Sequence, residues 1–279
     1  MAIQFKNVTF YYNKKEKPAL DDINLNIESK DDFIAIIGKI GSGKSTLVQL
    51  MNGLLLPSKG YLDIFGEKID KKVLPQNLIS LKKKIGLVFQ FPENQIFENT
   101  ILKDVMFGPK NFNKNDAEAK EQAIKALKQV GITEDLFENS PFKLSGGQQR
   151  KVAIAGVLAL EPSILILDEP TRGLDVYSKK DIMNVLKKTN QDKRNTIIFI
   201  THDMDLIAEY ANKIILLDEG KIIFFGPKED FFQNYNLSQF SLSEPQTFKL
   251  LKFLNHELGI PFEYKFSYED LLKYLKQNL

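Results

Sequence analysis

A glycine-rich octapeptide that directly follows a short apolar run constrains the fold of this chain more than any other feature. Residues 38–45 read Gly-Lys-Ile-Gly-Ser-Gly-Lys-Ser, which fits G-x-x-x-x-G-K-[ST], and the preceding run, Phe33 to Ile37, is typical of a buried strand. Thr46 to Met51 then form a plausible helix. A strand, a glycine loop and a helix N-terminus bring backbone N–H groups and a helix dipole to one anion. The sequence therefore predicts a phosphate-binding loop.

Each residue type in this loop has a physical role in holding a nucleotide. The glycines allow the backbone to wrap around the anion without obstructing side chains. The lysine places a charge near the β- and γ-phosphates, and the serine that follows it offers a hydroxyl to Mg²⁺. The residues that we expect to contact the nucleotide here are Gly38, Gly41, Ser42, Gly43, Lys44, Ser45 and Thr46.

Composition restricts the class of protein. The chain has 279 residues, of which 43% are hydrophobic and 27% charged, with a net charge of +2. This apolar content excludes disorder as the main state, and the near-neutral charge argues against a nucleic-acid binder that relies on bulk charge. The chain has no cysteine and two histidines, which excludes thiolate chemistry and nearly excludes a His-rich metal centre. Since no signal peptide or membrane-length apolar run is recognisable, we expect a cytosolic protein.

The apolar pattern predicts an α/β fold. Ile164 to Leu167 and Thr196 to Ile200 repeat the short unbroken apolar run, and residues 116–130 show helical spacing. Buried strands separated by helices indicate a parallel sheet covered on both faces. Residues 3–12 nearly alternate, which predicts a half-buried strand with one irregularity, and residues 214–225 read as a hairpin.

The pattern changes after about residue 228. An apolar stripe from Phe248 to Leu258, closed by Gly259, predicts one helix. Ser267 with Asp270 three residues later predicts the start of another. We expect a small helical appendage, whose helices either pack against their own domain or associate with a second chain.

Two adjacent acids follow one of the predicted buried strands. Asp168 and Glu169 come directly after the run Ile164 to Leu167, at the strand end where open α/β sheets bind ligands. Asp168 is placed to hold Mg²⁺ or its water, and Glu169 to polarise an attacking water as a general base. Acids often begin loops after strands, but the phosphate loop upstream favours a metal–nucleotide hydrolysis site.

The string Leu144-Ser145-Gly146-Gly147-Gln148 provides a second anion-binding helix start. With it, the chain resembles the ATP-binding cassette (ABC) ATPases. The resemblance implies an ABC-type nucleotide-binding domain over residues 1–228, with a P-loop RecA-like core and a helical subdomain at about residues 91–160, and a small C-terminal helical domain over residues 229–279 for dimerisation. In that family the serine and glycines of this signature clamp the γ-phosphate of ATP held by a partner subunit.

Further positions match the family in order along the chain. Gln90 stands where the family has a glutamine that meets Mg²⁺ and water and reports to the transmembrane partner. Asp175 matches the aspartate of the D-loop, and His202 matches the histidine that contacts the γ-phosphate. Tyr12, or Tyr11 if the register slips, matches the aromatic residue that stacks on adenine.

The stretch Phe89-Gln90-Phe91-Pro92-Glu93-Asn94-Gln95-Ile96-Phe97 narrows the resemblance. It is similar to the ATPases of energy-coupling factor (ECF) transporters, and together with Gly108 to Phe112 it resembles their second (A′) type. This resemblance implies an ATPase that powers uptake of vitamins or other micronutrients. The implied partners are a sister ABC ATPase, a transmembrane coupling subunit and small substrate-binding membrane subunits, at the cytoplasmic face of the membrane. ATP and Mg²⁺ are the implied ligands.

Other readings of the same motifs remain. The ATPase of another ABC transporter would share the catalytic residues and differ in residues 90–112 and in the tail. A soluble ABC ATPase acting on DNA or ribosomes, or a catalytically inactive regulatory cassette, fits less well, because the chain has one cassette and retains Glu169 and His202. Two features depart from the family pattern: Lys39-Ile40 replaces small polar residues in the loop, and Arg172 stands where alanine is common.

Overall fold

A computed structural model of the chain describes residues 2–28, 32–112 and 114–278. It contains a six-stranded sheet in the order β10-β9-β3-β8-β7-β6 and a four-stranded antiparallel sheet in the order β2-β1-β4-β5. The strands are β1 (Ile3–Phe10), β2 (Leu20–Ile27), β3 (Phe33–Ile37), β4 (Lys59–Ile64), β5 (Glu67–Ile69), β6 (Ile85–Val88), β7 (Ile164–Asp168), β8 (Thr196–Ile200), β9 (Lys213–Asp218) and β10 (Lys221–Pro227).

Five strands of the large sheet run parallel, as the apolar runs predict, and β10 pairs antiparallel with β9 in the predicted hairpin. Successive side chains of β3 enter two different cores: Phe33, Ala35 and Ile37 one, Ile34 and Ile36 the other. This alternation follows from the two-residue period of a strand and explains why the run contains no polar residue.

Ten α-helices lie in the described part of the chain, and they cover mainly one face of the large sheet. The opposite core is closed by α1, α2 and the antiparallel sheet, which the apolar pattern alone does not reveal. The helices are α1 (Lys44–Met51), α2 (Pro75–Lys84), α3 (Ile101–Asn111), α4 (Asp116–Gln129), α5 (Gly146–Leu158), α6 (Val176–Lys193), α7 (Met204–Tyr210), α8 (Lys228–Asn234), α9 (Gln246–Leu258) and α10 (Tyr268–Asn278).

Local expectations from the sequence agree with these bounds. The helix predicted over residues 116–130 is α4. It ends just before Gly131, whose backbone is left-handed. The irregularity of the first strand is present as register shifts around Asn7, whose φ is 50°. Tyr12 lies two residues beyond that strand. Among the described residues, no helix combines the length and apolarity that a membrane span requires.

The tail packs on the large domain through aromatic side chains. Phe231, Phe232 and Phe248 lie in the same core as the parallel sheet. Beyond them, α9 and α10 share a small cluster of their own, formed with Ile260. Both helices form as predicted, with Gly259 ending α9 and the Ser267 hydroxyl accepting a hydrogen bond from the Asp270 N–H. The proposed domain boundary at residues 228/229 stays a prediction.

We predict that Phe248→Ala lowers the free energy of unfolding by about 3 to 5 kcal/mol, since it leaves a cavity where the tail meets the core. Phe248 is 3% exposed and makes an edge-to-face contact with Phe232 at 5.1 Å between ring centroids. Chemical denaturation followed by far-UV circular dichroism measures the change. Phe253→Ala on the same helix is the matched control, because Phe253 is 59% exposed and its loss should change stability by about 0.5 kcal/mol or less. Equal effects of the two substitutions would contradict this packing.

Candidate active site

The predicted site residues come together at the carboxyl edge of the parallel sheet. The phosphate loop follows β3, Asp168 ends β7 with Glu169 next to it, and His202 lies two residues after β8. Because β3, β8 and β7 are neighbours and run in one direction, their carboxyl ends meet. Sheet order thus assembles side chains that are far apart along the chain.

The loop glycines are required by close backbone packing as well as by ligand access. A Cβ on Gly38 would lie 2.1 Å from the carbonyl oxygen of Leu217, and one on Gly43 would lie 2.6 Å from that of Ala19. Gly41 has open space around it, and its need for glycine comes from its φ of 81°. The loop is therefore held against its own domain.

The loop's polar side chains suit an anion. The Lys44 Nζ donates to the carbonyl oxygens of Gly38 and Lys39, both at 2.8 Å. Burial lowers the pKa of Lys44, while the nearby carboxylates of Glu169 and Asp168 oppose that shift. The buried hydroxyl of Ser42 has no hydrogen-bond partner among the described residues. A phosphate oxygen would give the Ser42 hydroxyl an acceptor and would accept the third N–H of Lys44.

Ser45 and Asp168 form an oxygen pair that fits a magnesium ion. The Ser45 hydroxyl donates to Asp168 Oδ2 at 2.9 Å, across 123 positions of sequence. Burial raises the pKa of Asp168, and the Ser45 hydrogen bond and the Lys44 charge oppose it. Mg²⁺ is commonly held by one or two protein oxygens together with waters and substrate phosphates. The described residues contain no cluster of three acids or histidines, so a cage built from protein alone is not indicated there.

Glu169 and His202 are in direct contact. Glu169 Oε1 lies 2.9 Å from His202 Nδ1. Since an ionised carboxylate can only accept, the hydrogen bond runs from this nitrogen to Glu169. Glu169 has a left-handed backbone, with φ of 52°, and its N–H donates to the carbonyl oxygen of Ile200 at 3.0 Å. The contact therefore orients the predicted general base.

Two further predicted residues flank this centre. The Tyr12 hydroxyl lies 3.0 Å from the Thr46 hydroxyl, which places the ring beside the first turn of α1. Gln90 is exposed and follows β6 after one intervening residue, Phe89. The structure thus brings Tyr12 to the loop, while the predicted roles of both residues stay predictions.

The signature residues line a groove whose lining residues include none of the phosphate loop. Ser145 is the N-cap of α5 and forms a capping box with Gln148, whose side chain accepts from the Ser145 N–H at 3.1 Å. Ser145, Gly147 and Gln148 line an open groove of about 380 Å³. None of the side-chain hydrogen bonds described for these residues reaches residues 38–45. The start of α5, which the sequence predicts to bind an anion, therefore borders this groove.

Asp175 caps helix α6. Its carboxylate accepts from the Ser178 hydroxyl at 2.6 Å and from the Ser178 N–H at 3.0 Å. These two hydrogen bonds hold the pKa of Asp175 below its usual value. Asp175 is thus fixed beside the signature groove, which Ser178 also lines.

Sequence reasoning missed Arg150. This side chain of α5 is 2% exposed and forms a two-pronged ion pair with Glu93. The sequence around Arg150 carries no signal that distinguishes a buried arginine from a solvent-exposed one on a helix. The structure also explains Arg172, whose guanidinium lies 5.8 Å from the centroid of the Phe91 ring.

Residues 20–172 match the sequence model of the family described as ABC transporter. The protein named energy-coupling factor transporter ATP-binding protein EcfA2 from Lactobacillus johnsonii is 48% identical over 256 residues, covering 90% of this chain and 88% of that one. The protein of the same name from Lactobacillus acidophilus is 45% identical over 288 residues, covering 100% of this chain and 98% of that one.

Solved structures show the same fold. CbiO1 from Clostridium perfringens, described as part of the ABC transporter complex cbiONQ, superposes with a TM-score of 0.77 at 35% identity, covering 92% of this chain and 95% of that one. The dimeric ATP-binding cassette MJ0796 bound to ADP and Pi gives a TM-score of 0.70 at 34% identity, covering 81% and 98%.

We predict that Asp168→Asn raises the melting temperature of the nucleotide-free protein while removing a residue that we expect to hold Mg²⁺. Since burial raises the pKa of Asp168 despite Lys44 and Ser45, the ionised carboxylate destabilises the folded state, and the neutral amide removes that cost. The gain should be present above the raised pKa and shrink as pH falls below it, because the wild-type carboxyl is then protonated. Thermal unfolding at several pH values measures this.

Asp175→Asn is the control of opposite sign. The pKa of Asp175 is lowered by its hydrogen bonds to Ser178, so neutralising it should lower the melting temperature. A lower melting temperature for Asp168→Asn would show that desolvation of this carboxylate does not dominate.

Proposed function

The chain belongs to the ATP-binding proteins of energy-coupling factor transporters, within the ABC transporter family, and from this premise we propose residue roles, partners and a location for it. As a member of that family it binds ATP and is an ATPase. The observation that carries the assignment of roles is the contact between Glu169 and His202, with Asp168, the residue before Glu169, hydrogen-bonded to Ser45.

Lys44, Ser42 and the loop N–H groups bind the phosphates, and Tyr12 stacks on the adenine. Ser45, Asp168 and Gln90 hold Mg²⁺, which neutralises charge on the phosphate oxygens when it is bound. These residues fit Mg²⁺ because the side-chain oxygens of Ser45 and Asp168, both suitable metal ligands, lie within hydrogen-bond distance of each other.

Hydrolysis then depends on placing one water and stabilising charge. Glu169 accepts a proton from the attacking water, with its carboxylate held by His202. Lys44 and the loop N–H groups stabilise negative charge on the transferred phosphoryl group. Phosphoryl transfer needs mainly positioning and electrostatic stabilisation, which these fixed groups supply.

The separation of the signature from the phosphate loop supports a site shared between two subunits. Ser145, Gly146, Gly147 and Gln148 of one chain, with Asp175 beside them, complete the site of a sister ATPase, and the sister completes the site described here. The A′-type sequence favours a heterodimer.

We propose that the docking segment, residues 90–97, contacts a transmembrane coupling subunit. Its rings are incompletely buried: Phe97 is exposed and packs edge-to-face on the exposed Phe107 at 4.8 Å between centroids. Such a surface suits an apolar helix of a partner. This contact places the chain at the cytoplasmic face of the membrane. Substrate capture, of vitamins or other micronutrients, then lies in separate small membrane subunits.

We predict that Glu169→Gln leaves ATP binding intact and lowers the hydrolysis rate by about 100-fold or more, since the amide cannot accept the proton of the attacking water. Phosphate release and equilibrium binding of a fluorescent ATP analogue measure the two properties separately. Lys44→Ala is the contrasting variant, which should weaken ATP binding by about tenfold or more because a charged donor is lost. Full hydrolysis by Glu169→Gln would place the base elsewhere.

The tail prediction concerns the exposed apolar residues of α9. Leu250 and Phe253 are three residues apart on one face and are both exposed. We predict that changing both to Glu weakens association with the sister ATPase by about tenfold or more, since two charges would enter an apolar contact. Recovery of the sister subunit with the tagged chain, in mild detergent, measures it. Lys249→Glu, at an exposed polar position of the same helix, should change nothing. Unchanged recovery with the Leu250/Phe253 variant would show that the tail packs only on its own domain.

A further inference from the structure

Arg150 joins three functional segments through one buried guanidinium. Its Nε and Nη2 donate to the two carboxylate oxygens of Glu93, at 3.0 and 2.5 Å. Its Nη1 donates to the carbonyl oxygens of Pro170 and Arg172, at 3.2 and 2.6 Å. Arg150 lies in α5, the helix that the signature begins. Glu93 lies in the docking segment, and the two carbonyls belong to the loop that directly follows Glu169.

The geometry of the loop links these bonds to the catalytic carboxylate. Glu169 is held in a left-handed conformation, and its own carbonyl oxygen accepts from the Arg172 N–H at 3.2 Å. A shift of the Arg172 backbone therefore changes the turn that aims Glu169. Since the Arg150 guanidinium bonds the same Arg172 backbone through its carbonyl, the position of Arg150 bears on the position of Glu169.

The docking segment contacts the loop a second time. Phe91 also has a left-handed backbone, with φ of 53°, and its ring centroid lies 5.9 Å from the Arg150 guanidinium and 5.8 Å from that of Arg172. Phe91 is 40% exposed. A partner that moved the docking segment would act on both Glu93 and Phe91, and through them on the loop.

Stability alone does not account for this ion pair. Removing two charges from water is costly, and well-packed apolar residues of similar size are often equally or more stable. A guanidinium, however, offers five donors in a fixed plane, which lets it bond a carboxylate and two carbonyls at once. A lysine in its place could not make all four hydrogen bonds.

We propose that Arg150 is a positioning residue that sets Glu169 for hydrolysis and, through Glu93, makes that setting depend on the docking segment. This inference rests on the proposed role of Glu169 and of residues 90–97. It assigns to Arg150 and Glu93 no contact with nucleotide. It adds a physical connection, made of named hydrogen bonds, between the surface that meets the membrane partner and the residue that activates water.

The first test uses Arg150→Lys in the full-length chain and in its assembled transporter. This variant keeps the charge opposite Glu93 and loses hydrogen bonds to the loop, so kcat for ATP hydrolysis should fall by about 10-fold to 100-fold, as a misplaced catalytic group implies. KM for ATP should stay within about twofold, because the phosphate loop is untouched. An unchanged kcat would overturn the inference.

The decisive variant replaces the whole pair, Glu93→Leu with Arg150→Met. If the pair served packing alone, the melting temperature and kcat of this double variant would both be close to the wild-type values. We expect a melting temperature near the wild-type value with kcat still reduced, because the carbonyls of Pro170 and Arg172 have lost their donor. Recovery of kcat would overturn the inference. If the pair variant does not fold, Arg150→Lys still decides.

A cycle with Glu93→Gln tests whether both residues act through one linkage. Glu93→Gln and Arg150→Lys should together lower kcat no further than the more severe of the two, and independent multiplication of the two losses would contradict a shared path. Lys213→Met is the control, since it breaks another ion pair with a buried carboxylate, Lys213 with Asp32 at 2.7 Å, at the opposite edge of the sheet. It should lower the melting temperature and leave kcat unchanged. Loss of activity in the wild-type chain would refute the proposed function rather than this inference.

Discussion

The parallel sheet is buried on both faces, and that constraint determines where the chain can place polar groups. Side chains of β3 and β7 alternate between two cores, so neither strand can carry a functional residue along its length. The first positions free to be polar are the last residue of a strand and the residues that follow it. Asp168 ends β7, Lys44, Glu169 and His202 lie beyond strand ends, and the shared direction of the strands brings them to one edge.

Close packing then limits what can stand at that edge. The phosphate loop lies against the backbone of β9 so tightly that Gly38 cannot carry a Cβ, and the unpaired hydroxyl of Ser42 and the partly buried Lys44 remain for an anion. Burial raises the pKa of the neighbouring Asp168 carboxyl, and the Ser45 hydrogen bond and the Lys44 charge oppose that shift. In the proposed site, phosphate oxygens would accept from Ser42 and Lys44, and a metal ion would offset the cost of ionising the Asp168 carboxyl.

Helix α5 connects the signature, at which it begins, with the docking segment, which its residue Arg150 contacts. Ser145 and Gln148 satisfy each other at the start of α5, which leaves their groove available to a second subunit. Arg150, one helical turn further on, points inward and bonds the docking segment and the loop after Glu169. In the proposed roles, one helix carries a residue for the partner's nucleotide and a residue that positions the chain's own Glu169.

The sequence by itself indicated β1, the buried strands β3, β7 and β8, the β9–β10 hairpin, the phosphate loop, the acidic pair, the signature and the helices of the tail. Each of these is encoded locally, by strand period, by glycine at positions of positive φ or by capping residues such as Ser267. The comparisons with known proteins bear out the family and the fold, while the separate roles of the site residues stay proposals. Only the tertiary structure revealed that the antiparallel sheet closes one core, that Phe248 joins the tail to the other, and that Arg150 is buried against Glu93. These features depend on contacts between residues that are distant in sequence. They could not be predicted, because the identity of a residue does not determine how buried it is or which residue it contacts.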